Sequence, residues 1–254
     1  MMLLLRSLVL LRSLAFQLLL IGSSIVYALA ILVFTRHKFA LAQSWARFNL
    51  QMLKRLCHLD YRVQGLERLP ADNAIVLCKH QSAWEILALR ALLPPRQCWV
   101  LKQELLRIPI FGPALACLDP IPIDRAAARR ELMHLLRAGT ERLGQGYWLI
   151  VFPEGTRVAP GAKGTYSIGG ALLAERTGYP VVPVVHNAGT FWGRRSLIKR
   201  PGTIELVFGQ PIATQGRKAA EINAETERWI EERLEIIVSH PSLQPKAGKI
   251  QTKG

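Results

Sequence analysis

The stretch "AIVLCKHQSAWEIL", residues 74–87, contains a change of period. Ala74 to Cys78 is a compact apolar run of strand type. Ser82 and Glu85 then stand in the S-x-x-E spacing of a capping box that opens a helix. A strand feeding straight into a helix is the repeating unit of α/β folds. His80 falls on the turn between them. Five helical residues advance about 500°, or about 140° net, so His80 and Glu85 would not share a face of one regular helix. They can meet only if His80 lies outside it. Glu85 alone also fits a plain cap, reaching back to the backbone N–H of Ser82, and the spacing by itself decides neither use.

Outward from this unit, short apolar runs alternate with helical stretches. "AIVLC", "QCWVL", "IPID", "YWLIVF", "YPVVPVV" and "TIELVFG" read as strands, and residues 83–93, 126–144, 167–178 and 219–238 read as helices. The alternation predicts an α/β fold with a mixed, mostly parallel sheet flanked by helices. With 254 residues, the chain is long enough for one full core plus appendages. We place a globular domain at 60–240, a membrane-associated segment at 1–59 and a disordered basic tail at 241–254, "PSLQPKAGKIQTKG".

The N-terminal segment divides in two. Residues 14–34, "LAFQLLLIGSSIVYALAILVF", form an uncharged run of 21 residues, long enough to cross a hydrocarbon core as a helix. A signal peptide is the competing reading, because Arg6 and Arg12 precede the run and "ALA" at 28–30 resembles a cleavage site, but the apolar run continues through Phe34. Arg36 and Lys38 follow it, so basic residues flank both ends and no crossing direction is set; dipping into one leaflet fits as well as spanning. Residues 41–59 space Leu41, Trp45, Phe48, Met52, Leu56 and Leu59 by threes and fours, with Arg47, Gln51, Lys54, Arg55 and His58 mostly opposite. That pattern fits an amphipathic helix lying in an anionic interface, and equally a helix packed on the domain. Together these segments predict an N-terminal membrane-associated helical pair.

Lys+Arg 33 against Asp+Glu 18 gives a net charge of +15 and points to anionic partners: nucleic acid, acidic headgroups or phosphorylated substrates. No helix-turn-helix, zinc-finger or RNP signature supports nucleic acid. Cys57, Cys78, Cys98 and Cys117 are scattered without C-x-x-C, and the six histidines show no H-E-x-x-H spacing, so neither a disulfide framework nor a metal site is expected.

Three further stretches bear on chemistry. "FPEGTR", residues 152–157, follows the apolar "YWLIV" and sets Glu154, Gly155, Thr156 and Arg157 at a strand end, where α/β folds gather ligand groups. "IPIDR" sets Arg125 after another strand, and "LKQEL" sets Lys102 after a third. In order, H-x-x-x-x-E, I-D-R, F-P-E-G-T-R and the apolar "VVPV" of 181–184 resemble the motif blocks of the glycerolipid acyltransferases, over roughly residues 60–215. Within that family the bacterial 1-acylglycerol-3-phosphate acyltransferases are most similar. Three positions depart from the family pattern: Lys79 and Glu85 stand where asparagine and aspartate are usual, and Val158 stands where serine is common.

The resemblance implies transfer of an acyl chain from an acyl thioester, acyl-CoA or acyl-carrier protein, to lysophosphatidate in phospholipid synthesis. It implies His80 as general base and Glu85 as its orienter, with Lys102, Arg125, Glu154, Gly155, Thr156 and Arg157 binding substrate. Glu154 would contact acceptor hydroxyls or brace the basic groups. No metal or resident cofactor is implied, and the expected partners are the two substrates, an anionic membrane surface and acyl-carrier protein, without nucleic acid. The place implied is the cytoplasmic face of the bacterial inner membrane. Glycerol 3-phosphate or another lyso-lipid as acceptor, and an inactive membrane-associated member of the fold, stay open. The basic stretch "GRRSLIKR", with Arg194, Arg195 and Lys199, is assigned to a solvated face or to lipid headgroups.

Overall fold

A computed structural model describes residues 2–124 and 128–239. Two helices open the chain, α1 (Met2–Val33) and α2 (Lys38–Cys57), followed by β1 (Leu59–Gln64) and β2 (Ile75–Cys78). Then come α3 (Trp84–Leu92), β3 (Gln97–Lys102), α4 (Phe111–Ala116), β4 (Ile121–Ile123), α5 (Ala128–Gly144) and β5 (Trp148–Val151). The chain continues through α6 (Gly169–Thr177), β6 (Val181–His186), α7 (Ala188–Phe191), β7 (Gly202–Phe208) and α8 (Ala219–Ser239). The expected basic tail at 241–254 and Arg125 lie outside the described residues.

The strands form one sheet in the order β1-β7-β6-β2-β5-β3-β4. Every pairing is parallel except β6 with β7. Strand alternation sorts the core into two layers. Val76, Cys78, Trp148 and Ile150 face a cluster that includes Leu50 and Leu53 of α2 and Leu87 of α3. Their neighbours Ile75, Leu77, Leu149 and Val151 face Leu135 of α5, Leu173 of α6 and Ile222 of α8. The central strands β2, β5 and β6 are buried on both faces, which is why their sequences read as continuous apolar runs.

α1 and α2 form an antiparallel hairpin. Tyr27 meets Ser44 at 3.2 Å and Ser23 meets Asn49 at 3.1 Å, while Cys57 reaches the carbonyl of Arg12 at 3.6 Å, so contacts run in opposite order along the two helices. α1 is one long helix that carries the expected apolar run and continues it toward the N-terminus; Arg6–Val33 is apolar and long enough to cross a membrane. Phe16, Ala28 and Ile31 turn inward, whereas Leu11, Leu14, Leu18, Val26 and Val33 stay exposed.

Two expectations are corrected here. The helix expected to run to residue 59 ends at Cys57, because His58 takes a left-handed conformation and Leu59 opens β1. Leu59, read as the last position of the helical stripe, belongs instead to the strand alternation Leu59, Tyr61, Val63. The inward face of α2 is also rotated: it buries Ala42, Ala46, Asn49, Leu50, Leu53 and Cys57, between the positions read as the apolar stripe. Alanines let α2 lie close against α1 and α3, while Trp45, Met52 and Leu56 pack only partly on the core.

Candidate active site

Parallel register brings distant motifs to one edge. Leu77 of β2 pairs with Val151 of β5, so the turn after β2 lies beside the turn after β5. Val184 of β6 pairs with Cys78, which adds the end of β6 to the same edge. This is the carboxyl edge of the parallel strands, where open α/β sheets take their ligands.

His80 occupies that turn, outside α3 as the geometry requires. Its Nδ1 lies 2.8 Å from Glu85 Oε1, the same oxygen that accepts the backbone N–H groups of Gln81 at 2.9 Å and Ser82 at 2.8 Å. Cap and partner are therefore one arrangement. Ser82 Oγ, for its part, accepts from the Trp84 N–H at 3.2 Å. Glu85 is fully buried. Burial pushes its carboxyl up, yet His186, the hydrogen bond from His80 and the Ser82 N–H hold it below the ordinary carboxylate value. An ionised Glu85 can only accept, so Nδ1 carries the ring proton and the lone pair sits on Nε2. No partner for Nε2 is found among the described residues.

The ring is held on its other sides by "FPEGTR". Phe152 stacks on it with centroids 4.1 Å apart and planes at 17°. Glu154 Oε2 accepts the His80 N–H at 2.8 Å, and the Val158 N–H donates to the His80 carbonyl at 2.8 Å. Because the contact from residue 158 is main-chain, valine serves it as well as serine. Gly155 turns this segment at φ 63°, in the left-handed region that favours glycine.

His80 opens onto a cavity of about 730 Å³, in the range of sites for small-molecule ligands. The cations Lys102 and Arg157 stand on its wall. Its apolar lining comes from Tyr27 and Ile31 of α1, Trp45 of α2, and Phe111, Leu115 and Leu118 in and beside α4, while Arg90, Asp124 and Glu131 also line it.

Residues 60–187 match the Acyltransferase family. The chain is 40% identical to the 1-acyl-sn-glycerol-3-phosphate acyltransferase of Pseudomonas aeruginosa over 246 residues, 91% of this chain and 95% of that one. The chain belongs to the acyltransferase family. The corresponding protein of Helicobacter pylori is 33% identical over 143 residues, covering 54% of this chain and 60% of its own. The fold matches the crystal structure of the 1-acyl-sn-glycerophosphate (LPA) acyltransferase PlsC from Thermotoga maritima with a TM-score of 0.76, at 24% identity over 91% of this chain and 96% of that one.

In this acyltransferase, the fold brings His80, Glu85, Lys102, Glu154, Gly155, Thr156 and Arg157 to one edge of the sheet, with Arg125 outside the described residues. Their accessibilities differ. His80, Lys102, Gly155, Thr156 and Arg157 face the cavity. The side chain of Glu154 is wholly buried, one oxygen on His80 and the other 2.8 Å from Lys79 Nζ, so it braces the site from behind.

Arg194 and Arg195, assigned to a solvated face or to lipid headgroups, are both exposed; both also line the cavity, and Arg194 Nη1 donates to the Arg157 carbonyl at 3.3 Å. Lys199 is buried against α1 and donates to Gln17 Oε1 at 2.7 Å. Their loop is brought over the cavity by tertiary packing, which no local pattern records.

His186 was not anticipated. It ends β6 fully buried, its Nε2–H donating to the Lys79 carbonyl at 2.9 Å and its Nδ1 accepting the Ala188 N–H at 3.2 Å. Nε2 is also 3.7 Å from Glu85 Oε2. Burial lowers the pKa of His186, against the opposing pull of Glu85. The available signal was a histidine closing an apolar strand at the carboxyl edge of the sheet.

Proposed function

We propose that this acyltransferase moves an acyl chain from an acyl thioester to the free hydroxyl of 1-acylglycerol 3-phosphate, giving phosphatidic acid for phospholipid synthesis. The observation that carries the chemistry is the His80–Glu85 pair at 2.8 Å, with Nε2 left for the cavity. Nε2 takes the hydroxyl proton as the oxygen attacks the thioester carbonyl. The new C–O bond forms, the C–S bond breaks, and the imidazolium returns its proton to the departing thiolate. Glu85 fixes the tautomer and stabilises the imidazolium, so no covalent enzyme intermediate is needed.

Lys102 and Arg157 take the acceptor phosphate, with Arg125 as the third cation. Neither Lys102 nor Arg157 has a carboxylate partner among the described residues, which leaves both free to pair with a ligand. A guanidinium fork suits phosphate oxygens. Thr156 and Gly155 line the approach, and the apolar part of the cavity houses alkyl chain. Acyl-CoA or acyl-carrier protein supplies the thioester. The exposed apolar face of α1 rests in the bacterial inner membrane from its cytoplasmic side, and the cationic surface around it meets anionic headgroups.

The test is turnover of lysophosphatidate with acyl-CoA or acyl-carrier-protein thioesters in detergent micelles. His80→Ala should remain folded and lose about two to four orders of magnitude in kcat. Arg157→Gln should raise KM for lysophosphatidate about ten- to a hundredfold while that for the donor moves little. Near-normal turnover in His80→Ala removes the mechanism, and equal use of a phosphate-free acceptor by the unaltered enzyme removes the substrate.

A further inference from the structure

Lys79 is one of the largest fully buried side chains, and it does not line the cavity. Its ammonium lies 2.8 Å from Glu154 Oε1 and 2.7 Å from Glu231 Oε1 of α8, and 5.8 Å from the centre of the Tyr166 ring. Tyr166 Oη donates to the same Glu231 oxygen at 2.7 Å. The other oxygen of Glu154 holds the His80 N–H. A continuous series of charged contacts thus runs from the C-terminal helix to the main chain of the base.

A buried ammonium is costly unless paired and hydrogen-bonded. Here its pairing reaches a group whose position matters. All four main-chain polar groups of residues 79 and 80 are engaged. The Lys79 N–H donates to the Val184 carbonyl at 2.9 Å, and the Lys79 carbonyl accepts from His186. The His80 carbonyl accepts the Val158 N–H. Three of these holds involve main chain or a ring fixed on main chain. The fourth, on the His80 N–H, is a carboxylate whose placement depends on a cation. The seat of that carboxylate is tight, since a Cβ at Gly164 would stand 2.8 Å from Glu154 Oε1 and 3.1 Å from its Cγ, as well as 2.8 Å from Val158 Cγ2.

We infer that Lys79 is a positioning residue for the reaction: by fixing Glu154 between itself and the His80 N–H, it sets where Nε2 points, and Glu231 makes α8 part of the site. The inference rests on the acyl-transfer reading above. Small misplacement of a catalytic group costs turnover more than binding, because binding contacts elsewhere remain.

The test uses the full chain in micelles, with steady-state kinetics for both substrates. Lys79→Met should lower kcat about ten- to a hundredfold while both KM values stay within about twofold. Gly164→Ala, which keeps every charge and crowds Glu154 at two atoms and Val158 at one, should reproduce the pattern. It also decides the matter if Lys79→Met does not fold. The double variant Lys79→Met/Glu231→Gln should recover part of the thermal stability, by removing the Glu231 charge, without recovering kcat, because Glu154 still lacks its cation. Unchanged kcat in folded Lys79→Met or in Gly164→Ala, or full recovery of kcat in the double variant, would overturn the inference and leave Lys79 a structural charge. His80→Ala run alongside keeps the two readings apart: if it turns over normally, the acyl-transfer reading has failed whatever Lys79 does.

Discussion

Glu85 carries two duties on one oxygen. Oε1 closes the first turn of α3 through two backbone N–H groups and orients His80 through Nδ1. Glutamine at this position keeps an acceptor for all three donors but loses the charge that favours the imidazolium. Glu85→Gln should therefore cut kcat by about two to four orders of magnitude with a small change in Tm. Glu85→Ala should lower Tm as well, since it strands buried donors at about 1–3 kcal/mol each. Steady-state kinetics beside thermal denaturation separates the two effects; Glu85→Gln with full turnover would reduce Glu85 to a cap. The extra methylene relative to aspartate is taken up by the reach of Glu85, the second residue of α3, back over the turn. Both duties were legible at residues 82–85, yet they looked like rivals. The sequence orders residues along the chain, and only the turn geometry shows that one oxygen meets all three donors.

α1 presents two faces with different partners. Leu18 and Val26 are 71% and 63% exposed, while Phe16 is fully buried, edge-on to Trp192 at 5.7 Å and 5.5 Å from Lys199 Nζ. A row of exposed leucines, isoleucines and valines along one helix is a surface for lipid, not for water. Leu18→Glu with Val26→Glu should move the protein from the membrane pellet toward the supernatant with Tm little changed. Phe16→Ala should leave fractionation alone and cost about 3–5 kcal/mol of stability. Sedimentation of washed membranes and thermal denaturation read these out, and unchanged pelleting of the double glutamate variant would show that the exposed face is not the anchor. The apolar composition of this helix was plain from the sequence. Its second use, as a cavity wall through Tyr27 and Ile31, was not, because the pattern that says apolar does not say against what.

Acid should loosen the whole molecule through the same buried cluster. His186 is fully buried, and burial lowers its pKa from the ordinary 6.5. The unfolded chain then binds a proton more readily than the folded one, so this contribution is complete above about pH 6.5 and is lost as pH falls through the lowered folded value. Glu85, though pushed up by burial, ends below the ordinary 4.5 through His186 and His80, and its contribution is lost in the same direction at lower pH. Tm should decline as pH drops from about 7 toward 5, and His186→Gln should flatten the upper part of that decline; an unchanged slope would remove His186 from the account.

The sequence by itself determined the alternation of strands and helices, the apolar N-terminus, and a histidine and an F-P-E-G-T-R segment that each follow a strand. Those follow from local periodicity, capping and turn chemistry, which neighbouring residues settle among themselves. Only the tertiary structure decided that β2 and β5 lie in parallel register, which face of α2 turns inward, that Lys79 pairs with a glutamate 152 residues away, and that Arg194 and Arg195 reach the cavity. Each of those depends on strands and helices packed together from distant parts of the chain, and burial is a property of the packed whole that no single stretch contains.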